Sequence, residues 1–185
     1  FSCGQRGLWG KGNGTFPLNM FENSVKVPSI WSQPGRIPAG RVSSALVSHY
    51  DVAPTLRDYL HLPPGDDPLA PGKSFRPVLA GRTDQADENV FACAEYGPVR
   101  MVRTADWKYV HRYPYGPHEL YNLKADPEER TNLVDQKGQR TRIREMRRRL
   151  RDWFSAHVDP RLDGARWPVT GSGQRERIDA RHAGT

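Results

Sequence analysis

An α/β fold that closes with a small antiparallel sheet and one long packed helix is what this sequence predicts, on three observations. Four short runs rich in β-branched and aromatic residues, over 90–95, 100–104, 108–113 and 119–123, are separated by turn-forming residues. After them, Ile143, Met146, Leu150 and Trp153 or Phe154 recur at helical spacing in an arginine-rich stretch, the stripe of a helix docked on a sheet. Earlier, Ser48 and Asp51 stand three apart ahead of an apolar periodicity, the capping box that opens a helix.

In chain order, residues 4–21 read as a loop in which Gly7, Gly10, Gly12 and Gly14 surround Lys11. Residues 24–31 carry Val25, Val27, Ile30 and Trp31 with few charges, and predict a strand buried on both faces. Pro34, Gly35, Pro38 and Gly40 make a turn-rich connection, after which 41–47 is expected to begin extended. The helix capped by Ser48 runs to about Leu60, with Val52, Leu56 and Tyr59 or Leu60 on one face. Pro54 lies near its first turn, where a missing amide donor matters least. Residues 63–71, rich in proline, glycine and aspartate, predict a surface loop; a short element over 74–80 and a polar break over 81–89 follow. Thr104, Ala105, Asp106 and Trp107 supply the hairpin turn between the second and third strands, and Asp126 to Glu129 the turn toward the long helix, about Arg140–His157. Residues 159–185 show no periodicity and predict an extended tail.

Composition narrows the class. In 185 residues, 36% hydrophobic content is low for a dense autonomous domain, and 16 prolines with 17 glycines imply much irregular chain. The sequence opens on Phe1 inside a motif, so it is expected to be the C-terminal portion of a longer protein. No apolar run approaches the roughly 20 residues needed to cross a bilayer. The two cysteines, Cys3 and Cys93, are too few for a disulfide framework and have no metal-ligand spacing; each is expected to be a buried or half-buried thiol. A net charge of +7 raises nucleic acid as a partner, but the excess sits in the arginine run over 140–151. The apolar stripe beneath that run argues for a solvated helix face. A basic nucleic-acid-binding module therefore stands as the non-enzymatic alternative, marked by an affinity that falls steeply with salt.

The chemistry lies in the glycine loop. Glycines let a ligand approach the main chain closely, and Lys11 among them is a mobile point charge suited to an anionic oxygen. A phosphate loop is excluded, because no Gly-x-x-x-x-Gly-Lys-Ser/Thr pattern is present and Asn13 follows Gly12. The stretch Gly7-Leu8-Trp9-Gly10-Lys11-Gly12, then Phe21-Glu22, Val25-Lys26-Val27-Pro28 and Pro34-Gly35, resembles a late segment of the sulfatase catalytic domain. The likeness continues through Ile37-Pro38-Ala39-Gly40, through Val47 to Leu56, and through Glu119-Leu120-Tyr121-Asn122-Leu123, Asp126-Pro127-Glu128-Glu129 and Thr131-Asn132-Leu133, and so reaches about Phe154.

The resemblance implies the last part of a mixed-sheet, sulfatase-like catalytic domain over 1–81, a small subdomain of antiparallel strands and one helix over 82–158, and a tail over 159–185. It implies hydrolysis of sulfate esters or sulfamates by the full-length protein, with Lys11 touching the sulfate oxygens and steadying developing charge. Phosphonate or phosphate monoester hydrolysis within the same alkaline phosphatase superfamily is the nearest enzymatic alternative. Arg6 stands where many members have histidine; it can bind an anion bidentately and is the second candidate substrate contact. Glu22 is expected to hydrogen-bond the loop backbone, and His49 to sit at a helix end. The family also implies calcium and a formylglycine nucleophile made from a Cys/Ser-x-Pro-x-Arg motif. Cys3 is followed by Gly-Gln-Arg and Cys93 by Ala-Glu-Tyr, so neither fits that motif. The implied partners are a sulfated small molecule or glycan and the N-terminal part of the catalytic domain. This segment by itself is expected to hydrolyse nothing.

Overall fold

A computed structural model describes residues 2–10, 18–94 and 97–165. These residues form two compact units, one of 28–90 and one built from the chain on either side of it.

In the second of these units, β1 (Ser2–Cys3) and β2 (Trp9–Gly10) form a two-stranded antiparallel ribbon. A single helical turn, α1 (Glu22–Val25), follows the segment from Leu18. In the 28–90 unit, a 3-10 turn His49–Asp51 leads into α2 (Val52–Tyr59), and α3 (Arg76–Leu79) is one further turn. Then come β3 (Val90–Cys93), β4 (Val99–Arg103), β5 (Trp107–Arg112), β6 (Glu119–Asn122) and the long α4 (Arg140–His157).

The four strands β3 to β6 lie side by side in chain order, with β4–β5 and β5–β6 antiparallel. Register sorts the two faces. Val102, Tyr109 and Leu120 are aligned partners and, with Phe91, meet Met146, Leu150 and Phe154 of α4. Met101 and Val110 are aligned on the opposite face, where Val99, Ala94 and Met20 join them. Because side chains alternate along a strand, β3, β4 and β5 feed both cores, and the segment from Leu18 to Val25 covers the face that α4 does not. The hairpin turn forms as the sequence predicts: the Thr104 N–H donates to the Trp107 carbonyl at 2.8 Å, and the Trp107 N–H to Thr104 Oγ1 at 3.0 Å. The long helix takes its expected bounds and presents its expected stripe to the sheet.

In the 28–90 unit the capping box is present, the Ser48 N–H donating to Asp51 Oδ2 at 2.7 Å. Asp51 also accepts the Lys73 N–H at 3.0 Å, and Thr55 Oγ1 accepts the Phe75 N–H at 3.0 Å. The cap thus fastens the segment 73–75 to the start of α2. Gly72 makes this approach possible: its φ is +114°, and a Cβ there would sit 2.2 Å from the Tyr50 carbonyl oxygen.

Three expectations are corrected. Residues 24–31 are not a strand: 22–25 is helical, 26–31 is irregular, and Val27 and Ile30 are 53% and 89% exposed. A strand buried on both faces needs neighbours to satisfy its backbone, and no described strand pairs with this stretch. The stripe of α2 is only partly covered: Val52 and Tyr59 are half-buried, Leu56 and Leu60 are exposed, and Thr55 is the residue that is buried. Ile30 and Trp31 instead border an apolar cleft of about 940 Å³ with Ile37, Phe75 and Val78. Cys3 and Cys93 are both exposed rather than buried, and neither forms a disulfide. Among the described residues no helix is long and apolar enough to cross a membrane. Residues 166–185 of the expected tail lie outside the described residues.

Candidate functional site

The first part of the glycine stretch, residues 4–8, joins β1 to β2. The Gly4 N–H donates to the Leu8 carbonyl at 2.9 Å and the Gly7 N–H to the Gly4 carbonyl at 3.1 Å, folding residues 4–8 into a tight bend. Gly4, Arg6, Gly7 and Gly10 all have positive φ, a conformation glycine takes at little cost and arginine does not. Lys11, the first of the two candidate site residues, lies outside the described residues, which stop at Gly10 and resume at Leu18.

Arg6, the second, has its guanidinium 4.0 Å over the Phe21 ring, donates to Asn23 Oδ1 at 3.4 Å and to the Glu128 carbonyl, and lies 3.9 Å from Glu129 Oε2. Phe21, Asn23, Glu128 and Glu129 hold it, and a quarter of the side chain stays open to solvent. The arginine thus ties the bend to the start of α1 and to the turn after β6.

Where the chain returns to the sheet, the anchoring is ionic and buried. Lys108 on β5 is fully buried, and its Nζ donates to the Met20 carbonyl at 2.8 Å and to Glu129 Oε1 at 2.7 Å, and lies 2.6 Å from Glu22 Oε1. An ammonium has three donors, so Lys108 is saturated. Glu22 also receives Arg103 Nε at 3.2 Å, and its own backbone N–H donates to Glu129 Oε2 at 2.7 Å. Burial pushes the Glu22 carboxyl up, but the charges and hydrogen bonds of Lys108 and Arg103 outweigh it and hold it below the usual carboxylate range. Two residues along β5, on the same face, Val110 packs on Met20, and two further on Arg112 Nη2 donates to the Leu18 carbonyl at 2.8 Å. Strand β5 therefore grips alternate carbonyls of the returning segment with two cations.

Sequence reasoning assigned Glu22 to the loop backbone; its carboxylate goes instead to Lys108 and Arg103. It also passed over Lys108 and Glu129. The available signal was Lys108 itself, a charge at a strand position in phase with the apolar Val110. His49 is exposed at a helix end, as expected. His111 and His118 stack with ring centroids 4.1 Å apart, and Tyr113 meets His111 edge-on at 4.5 Å. On α4, Arg149 meets Glu145 at 2.5 Å and Arg148 meets Asp152 at 3.3 Å, while Arg142 covers Trp107 at 3.7 Å. Among the described residues no group of three His, Cys, Asp or Glu side chains is placed to hold a metal ion. The calcium implied by the resemblance therefore finds no ligand set among the described residues.

The described chain thus forms a four-stranded sheet with one long helix on one face and the segment from Leu18 to Val25 on the other. Residues 15–155 match the model of the family described as N-sulphoglucosamine sulphohydrolase, C-terminal, and the chain belongs to that family, among the sulfatases of the alkaline phosphatase superfamily. It is 36% identical over 135 residues to a choline-sulfatase of Rhizobium meliloti, covering 71% of this chain and 25% of that one. It is 34% identical over 125 residues to an N-acetylglucosamine-6-O-sulfatase of Bacteroides thetaiotaomicron, covering 62% and 22%. A solved structure in complex with its substrate D-glucosamine-2-N,6-O-disulfate aligns with a TM-score of 0.62 at 25% identity, over 73% of this chain and 29% of that one. The chain thus spans about a quarter of the length of the relatives it matches.

Proposed function

We propose that the full-length protein hydrolyses sulfate esters or sulfamates, and that this chain supplies the end of its catalytic domain over 1–81 and its C-terminal subdomain over 82–158. The observation that carries the reading is the family match over 15–155, which runs from just after the glycine loop through the sheet to the long helix. In this reading Lys11 contacts the sulfate. A fixed ammonium beside the ester stabilises the negative charge that builds on the sulfuryl oxygens and leaving group, and does so most where water is excluded. Arg6 has a reduced role: with its guanidinium already bound to Phe21, Asn23 and Glu128, it meets substrate only with its open edge. Calcium and the formylglycine nucleophile, which would supply the attacking oxygen, belong to the part of the protein that precedes this chain. The substrate is a sulfated small molecule or glycan; the choline-sulfatase and glucosamine-sulfatase relatives support both kinds.

The test is Lys11→Ala in the full-length protein, assayed on an aryl sulfate and on an aryl phosphonate monoester. Loss of about a hundredfold or more in turnover of the sulfate supports the assignment. Near-normal turnover overturns the role of Lys11, and preference for the phosphonate ester overturns the substrate class.

A further inference from the structure

Resting on the sulfatase reading, we propose that the open face of α4 is a binding surface for a sulfated glycan, gripped by Arg144, Arg147, Arg148 and Arg151. These positions stand three, four and seven residues from the first, so they form one stripe along the helix, about 10 Å from end to end. All four residues are exposed, and with Tyr113 and Leu150 they line a groove of about 290 Å³. A single carboxylate serves the stripe: Asp152 takes Arg148 at 3.3 Å and Arg151 at 2.7 Å. Arg144 reaches the Thr141 hydroxyl at 3.3 Å, and among the described residues neither it nor Arg147 has an acidic partner. Elsewhere on α4 the arginines are occupied, Arg142 over Trp107 and Arg149 with Glu145.

Like charges three and four residues apart on a helix face each other and repel, so this stripe works against the helix that carries it. A solvated face needs only good helix formers, and glutamine or interspersed glutamate would supply those without the repulsion. The surplus charge therefore points to an anion. A guanidinium is a planar fork that meets the oxygens of a sulfate bidentately and keeps its charge at any physiological pH. Several such forks in a row suit an anion repeated along a chain better than one small ion. Tyr113, half-buried, is the aromatic side chain that lines the groove. One ring offers an apolar face to a sugar, but not the succession of platforms on which the bases of a single strand stack. A glycan bearing several sulfates fits both features, and it is one of the two substrate kinds that the relatives support.

The experiment measures the Kd of a heparin hexasaccharide for the full-length protein at near-physiological salt. Wild type is compared with Arg144→Gln/Arg147→Gln, which removes the two cations that have no acidic partner. The control, Arg82→Gln/Lys124→Gln, removes the same charge from exposed positions off the helix. The stripe variant should bind about tenfold more weakly than wild type, with the control within about twofold, and the desulfated hexasaccharide should not bind. The thermal midpoint of the stripe variant should hold or rise, because two repelling charges are gone. A midpoint that falls assigns these arginines to stability and overturns the proposal. So does equal affinity in wild type and stripe variant, an equal loss in stripe variant and control, or a desulfated hexasaccharide that binds as well. A DNA oligonucleotide of equal charge that binds more tightly overturns the glycan and assigns the stripe to nucleic acid. Turnover of an aryl sulfate by the wild type is read separately: its absence overturns the hydrolase reading and does not move the comparison of the two variants.

Discussion

Lowering the pH should loosen the sheet and its helix, and His111 is the group to blame. It is 3% exposed, its Nδ1 shares a hydrogen bond of 2.9 Å with the Tyr109 hydroxyl, and its ring stacks on His118. Burial, then the neighbouring His118, Arg147 and Arg100, lower its pKa from 6.5 to about 4. His118 is pushed down too, by burial and then by Arg147 and Arg112. A base whose folded pKa is depressed binds its proton more tightly when unfolded. Its contribution is therefore complete above pH 6.5 and drains away as the pH falls toward about 4. At about 1.4 kcal/mol per pH unit, that interval is worth about 3 kcal/mol, a large part of the stability of a small domain. The measurement is urea unfolding at pH values from 7 to 4, for the wild type and for His111→Gln, which keeps an acceptor for Tyr109 but has no proton to gain. Relative to the variant, the wild type should lose about 3 kcal/mol across the interval, and the His111 ring proton followed by NMR should titrate near pH 4. Parallel stability curves, or a His111 that titrates near 6.5, would refute the reasoning.

Three further outcomes test the packing. Gly72→Ala puts a Cβ against the Tyr50 carbonyl at a positive φ, and should cost about 3 kcal/mol or more, read as a fall in the thermal midpoint of the 28–90 unit. Asp51→Ala strands the Ser48 and Lys73 amides and should cost about 2 kcal/mol, while Asp51→Asn keeps one acceptor and should recover part of that in the same melt. Leu150→Ala empties a site that is 1% exposed between α4 and the sheet, and should cost about 2–5 kcal/mol in urea unfolding.

The elements legible in the sequence are those whose signal is local. The α4 stripe, the alternation along β4 and β5, the Thr104 turn and the Ser48 cap each depend on residues within a turn or two of one another, and the structure contains them all. Arg6 is legible as a cation in a glycine bend, while the chemical meaning given to it and to Lys11 comes from the order of motifs along the chain. Residues 24–31 misled because an apolar run reports a wish to be buried and not whether neighbours are present to bury it. What only the tertiary structure decided is who pairs with whom across long separations. The Lys108 ammonium meets the Met20 carbonyl from 88 residues away, and the Glu22 N–H meets Glu129 from 107. No periodicity encodes such partners, since a buried charge states only that it needs an opposite one, and the fold alone chooses which.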